Sequence, residues 1–184
     1  MSWFFFEFTP AHPYWASLLK FLVLGTLGEW LGGVIRTRGD WKPFPPSMLP
    51  VKMAIWALLG LLIRWIFASF ALLVAAQAAQ GLLPEACGRA GSLAFALAVS
   101  LQLNLMFSPL LMVLHRALDN VSVRRWNWAG METALFSIVW FWLPAHTVTF
   151  LLPENFRVAF AALLGVALGA ILGYANRAAP VKEV

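Results

Sequence analysis

The residues that could do chemistry are few. Glu29 and Arg64 lie deep in long apolar runs, where ionisable groups are rare and are either paired or functional. Gln102 and Asn104 sit two positions apart in a third run, about 200° around a helix, so they do not share a face. One is expected to hydrogen-bond a neighbouring helix and the other to line a cavity. His146 follows Pro144 in a fourth run. A single imidazole without acidic partners fits a hydrogen-bonded packing residue better than a proton relay, and a tetrapyrrole ligand is the minor alternative. His115 is expected at an interface, and His12 falls in an aromatic N-terminal stretch. There is no phosphate-binding glycine loop, no nucleophile elbow, no paired acidic motif on one helix and no Cys/His set with zinc spacing. We therefore expect no enzyme, no metal site and no cofactor.

The elements that must carry these groups follow from composition. Of 184 residues, 61% are hydrophobic and 11% charged. A soluble domain carries about 25% charge, so this chain could not cover a water-exposed surface. Its apolar content also excludes disorder. One cysteine, Cys87, excludes an internal disulfide.

Crossing a bilayer takes roughly 20 mostly apolar residues. Five such runs are present: Ser17–Ile35, Met53–Ala76, Ser92–His115, Thr133–Leu152 and Val158–Ala175. The expected fold is an all-α integral membrane protein, a compact bundle of five transmembrane helices. Pro109 and Pro144 are expected to kink the third and fourth spans. Residues 1–16 read as an aromatic interfacial segment, 17–176 as one helical domain and 177–184 as a short tail. The first fifteen residues lack the basic region and cleavage site of a secretory signal.

Cytoplasmic loops carry an excess of Lys and Arg. Loops one and three and the C-terminal tail hold nine, including Arg36, Arg38, Lys42, Lys52, Arg116, Arg177 and Lys182; the opposite side holds three, Lys20, Arg89 and Arg157. An odd number of spans puts those loops and the C-terminus on one side, so the charge count and the span count agree. The N-terminus is expected outside and the C-terminus in the cytoplasm, in a bacterial cytoplasmic membrane. Arg124-Arg125 beside Trp126 and Trp128 reads as an interface anchor, and no nucleic-acid partner is expected.

Helices in lipid associate by close packing, with small residues at the contact. Ala161, Gly165, Gly169 and Gly173 recur at four-residue spacing in span five, and Gly28 and Gly32 do so in span one. Each set marks a tightly packed face, against another span or a second copy. Depths at about 1.5 Å per residue put Glu29 some 10 Å and Arg64 some 18 Å from the cytoplasmic edge. A Glu29–Arg64 pair is therefore expected to be within reach, either fixing the register of two spans or forming a charged constriction.

Three segments carry a family resemblance. They are Leu24–Gly33 (LGTLGEWLGG), Asn104–Pro109 (NLMFSP) and Trp142–Arg157 (WLPAHTVTFLLPENFR). The chain resembles a bacterial relative of the small peroxisomal and mitochondrial inner-membrane protein family proposed to form channels. That resemblance implies a solute channel and marks Glu29, Asn104 and Arg157 as functional positions. Where the family pattern has an Asp-Gln pair, this chain has Leu103-Asn104.

Two functions follow as expectations. The first is a small-solute channel with a polar constriction between helices, lined by Glu29, Arg64, Gln102 or Asn104, and His146. The alternative is a non-catalytic accessory subunit of a larger membrane complex, with lateral protein, pigment or lipid contacts. The expected partners are the lipid bilayer and either a homo-oligomer or such a complex.

Overall fold

The computed structural model describes residues 3–175. Among the described residues all regular structure is helical. An N-terminal π-helical stretch, Phe4–Phe8, runs into the short α1 (Thr9–Ala11). It is followed by α2 (Pro13–Arg36), α3 (Leu49–Ala79), α4 (Leu93–Met106), α5 (Ser108–Val123), α6 (Met131–Ser137), α7 (Leu143–Leu151) and α8 (Glu154–Ala175). Four helical stretches are long and apolar enough to cross a membrane, and a fifth is obtained if α4 and α5 count as one span.

The two proline signals have different outcomes. Pro109 occupies the first turn of α5, and the chain bends by 46° between α4 and α5 at Phe107. Proline lacks the N–H that an uninterrupted helix would use, and its ring clashes with the preceding turn. Pro144 likewise stands in the first turn of α7, after a π-helical turn at Ile138–Trp142 that joins α6 to α7. The expected kink at Pro109 is thus a break that starts a new helical segment, whereas Met131–Leu151 runs as one helical stretch through Pro144, with the π-helical turn just before it.

The small-residue faces of α2 and α8 meet. A methyl group on Gly32 would fall 2.6 Å from the Gly169 carbonyl oxygen, and one on Gly169 would fall 2.5 Å from that of Gly28. Gly173 packs in the same way against Gly32. The register advances along both chains together, so α2 and α8 run parallel. Gly165 differs from its neighbours in the stripe: nothing lies within 4 Å of where its side chain would begin. α3 runs antiparallel to α2, with Trp56 over Gly25 and Gly60 against Phe21 and Ser17. A buried core of Phe21, Ile63, Phe67, Val99, Leu103 and Phe150 joins α2, α3, α4 and α7.

The N-terminal stretch is part of this bundle. Phe5 stacks on Phe156 at 5.2 Å, and the Asn155 side-chain amide donates to the Phe5 carbonyl at 3.1 Å. The first helix of the bundle also starts earlier than the sequence suggests, at Pro13, a favoured residue for a first turn. The tail at 177–184 lies outside the described residues.

Candidate functional site: a cavity between a charged and a neutral cluster

Antiparallel α2 and α3 bring Glu29 opposite Lys52, and the pairing differs from the sequence expectation. The Lys52 ammonium lies 2.5 Å from Glu29 Oε1 and 2.7 Å from Asp119 Oδ1. The Trp56 indole N–H donates to Glu29 Oε2 at 2.8 Å. Arg64 is twelve residues beyond Lys52, about 18 Å along the helix, and cannot reach Glu29. Its guanidinium pairs instead with Glu154 at 2.7 Å, at the start of α8. By its sequence context Lys52 is a loop residue, just before the apolar run that starts at Met53. In the structure Lys52 belongs to the first turn of α3 and is buried.

His115 completes the first cluster from α5. Its Nε2 lies 3.7 Å from Asp119 Oδ2 and 4.0 Å from Glu29 Oε2, and the ring rests against Trp56 at 4.5 Å between centroids. His115, expected at an interface, instead lies inside the bundle beside Asp119, which the apolar runs do not include. The one available signal was the i, i+4 spacing of His115 and Asp119, which puts both on one helix face. Glu29, His115 and Asp119 bring their ligand atoms within 4.8 Å of one another, a spacing that could hold a cation. The Lys52 ammonium already bridges both carboxylates, so the resident cation of this cluster is a side chain.

A second polar group is neutral. Asn104 is fully buried, and its amide donates to the Ser100 carbonyl at 2.8 Å. The same amide nitrogen lies 3.1 Å from His146 Nδ1. Ser108 donates to Asn104 Oδ1 at 3.0 Å, and Ser100 donates to the Leu143 carbonyl at 2.6 Å. Trp142 stacks on the His146 ring at 5.1 Å, and Phe67 meets it edge-on at 5.5 Å. The same Leu143 carbonyl also accepts from the Thr147 hydroxyl at 2.9 Å, so it ties α4 to the first turn of α7. Both members of the pair join helices: Asn104 reaches α7 through His146, and the Gln102 amide donates to Gln77 of α3 at 2.6 Å.

A cavity of about 260 Å³ connects the two groups. Glu29, Trp56 and His115 line one part of it, and Trp142 and His146 another. Between them the wall is almost wholly apolar, with Leu59, Ile63 and Phe67 from α3 and Leu168 from α8. Gly165 faces this cavity, and its lack of a side chain keeps that part of the wall open. His115 Nε2 and Trp142 Nε1 are buried and have no hydrogen-bond partner within the protein. Of the five candidate polar positions, Glu29 and His146 line the cavity and Asn104 supports His146 from behind. Gln102 and Arg64 do not contribute to it. Arg157 lies at the far end of the bundle, where its guanidinium donates to the Leu152 and Phe150 carbonyls at 2.9 and 3.3 Å.

No protein-family model, curated protein or solved structure matches this chain.

Proposed function

We propose that this chain is a multi-pass membrane protein that admits a small solute to the cavity between its helices. In this reading the Glu29–Lys52–Asp119–His115 cluster is the charged constriction at the cytoplasmic end, and the N-terminus faces the opposite side. The observation that carries it is the cavity itself: an apolar chamber with an unpartnered N–H donor at Trp142 Nε1 at one part and the His115 ring beside Glu29 at another. Ligand sites are commonly apolar with a few placed polar groups. An apolar wall cannot replace the hydration shell of an ion, which takes rings of carbonyl or charged oxygens. The favoured solute is therefore small, uncharged and sparing in hydrogen-bonding groups. The resemblance to the proposed channel family supports the same reading through Glu29 and Asn104.

Passage past the constriction requires the Lys52 bridge to open, because its ammonium spans the two carboxylates beside the cavity. The test is the swelling of protein-bearing liposomes in glycerol, compared with potassium efflux from the same vesicles. The parent is expected to speed glycerol entry over protein-free vesicles and leave potassium unmoved. Glu29→Gln, which weakens one arm of the bridge, is expected to change the glycerol rate. A parent indistinguishable from empty liposomes sinks the reading. Stable, stoichiometric retention in a larger complex after mild detergent extraction, with no flux, supports the accessory-subunit alternative.

A further inference from the structure

The far end of the bundle has a charge imbalance that the cavity does not explain. Lys20 of α2, Arg64 of α3 and Arg157 of α8 converge there around a single carboxylate, Glu154. Lys20 is 7% exposed, yet among the described residues no carboxylate pairs with it. Its ammonium donates to Thr9 Oγ1 at 3.1 Å and sits 5.2 Å from the ring centroids of both Phe4 and Phe5. A lysine ammonium has three N–H donors, and this one hydrogen bond uses one of them. Glu154 is committed to Arg64 and is 64% exposed on its side chain, so it screens little of the remaining charge. Burying a cation without an anion is costly.

Two cavities flank the Arg64–Glu154 pair. One, of about 320 Å³, is lined by Lys20, Arg64, Asn155 and the Glu154 carboxylate. The other, of about 370 Å³, is lined by Arg64, Arg157 and again Glu154. Arg64 belongs to both, so a ligand in the first would meet an ammonium and a guanidinium together. That pairing suits an oxyanion, since guanidinium presents a planar fork and lysine a point charge.

We propose that Lys20 and Arg64 form an anion site for a phosphate group. The group would come either from a phospholipid headgroup or from a free phosphate, and would neutralise the end of the bundle opposite Lys52. In the lipid case the N-terminal aromatic stretch, held on α8 through Phe5 and Phe156, would lie beside the headgroup.

The test is thermal unfolding of the full chain in detergent at constant chloride. It is titrated with inorganic phosphate and, separately, with phosphatidylglycerol against a phosphatidylcholine control. A saturable rise in midpoint is expected. A rise with phosphate marks a free anion, and a rise with phosphatidylglycerol alone marks a lipid headgroup. In Arg64→Gln and Lys20→Met the half-saturating concentration is expected to increase about tenfold or more, while Lys20→Arg keeps the parent's response. Lys20→Met without anion is expected to unfold no earlier than the parent, because it removes an uncompensated buried charge. A purely structural lysine on Thr9 would instead lower the midpoint when removed. The proposal is overturned if the parent shows no saturable response to either probe. It is also overturned by a non-saturating rise shared equally by the variants, which is the general salting effect of phosphate.

Discussion

The two ends of the bundle solve the same problem in opposite ways. At one end a buried lysine, Lys52, lies between two carboxylates from α2 and α5. At the other a buried lysine, Lys20, has aromatic rings and a threonine hydroxyl around it and no acid. Both residues are lysines close to the end of an apolar run, and neither sequence context distinguishes them. The difference is in what the packing of neighbouring helices brings within hydrogen-bond distance. The first end pairs its lysine with two acids of its own and acts as a clasp joining α2, α3 and α5. The second is left with surplus positive charge and is suited to an external anion.

The contrast is broken most strongly at Lys52. Replacing Lys52 by Met leaves Glu29 and Asp119 facing each other without their ammonium. Removing one partner of a buried pair costs about 3–5 kcal/mol, and the unfolding midpoint in detergent should fall accordingly. A loss under about 1 kcal/mol would mean that the clasp carries little stability. The opposite end should respond in the reverse sense to Lys20→Met.

The glycine seam linking the two ends gives a smaller effect. In Gly32→Ala the new methyl meets the Gly169 carbonyl, backbone against backbone, where neither side can yield without moving a helix. A loss of about 1–3 kcal/mol is expected from such overpacking. Gly165→Ala has open space before it and should gain about 0.5–1 kcal/mol from helix propensity. Equal effects at the two positions would show that the seam is not a close backbone contact. Because Gly165 faces the cavity, the same substitution narrows the chamber, so slower glycerol entry without lost stability would separate the cavity from the fold.

The smallest change is expected at Arg64→Gln. Its partner Glu154 is largely exposed, and exposed ion pairs contribute about 0.2–1 kcal/mol. Stability should barely move, while the response to phosphate or anionic lipid should weaken. A large loss of stability would make Arg64 a structural ion and join the second end to the first in kind.

Much of the helical layout was legible in the sequence. The long apolar runs mark the helices because a helix is the structure that satisfies its own backbone in an apolar setting. Pro109 marks the one bent break and Pro144 only a π-helical irregularity in a continuous helix, and the four-residue spacing of Gly28, Gly32, Gly169 and Gly173 marks the close contact. The site was legible in its types and missed in its pairing. Glu29 and His146 line the cavity, with Asn104 behind His146, whereas Lys52, His115 and Asp119 passed as loop, interface or unremarked residues. A helix boundary misplaced by a single turn moves a residue from loop to clasp, and Lys52 sits at such a boundary.

The amino-acid order alone determined which segments are helical, where proline interrupts them and which faces are small enough for backbones to touch. These are local properties, set by hydropathy, by the missing proline N–H and by a periodicity of 3.6 residues. The tertiary structure decided which helix each face meets, and with that which acid stands beside which base. That choice depends on the relative depth of helices separated by tens of residues in the chain. A shift of one turn, about 5.4 Å, exceeds the length of any ion pair, so a pairing cannot be read from one helix at a time.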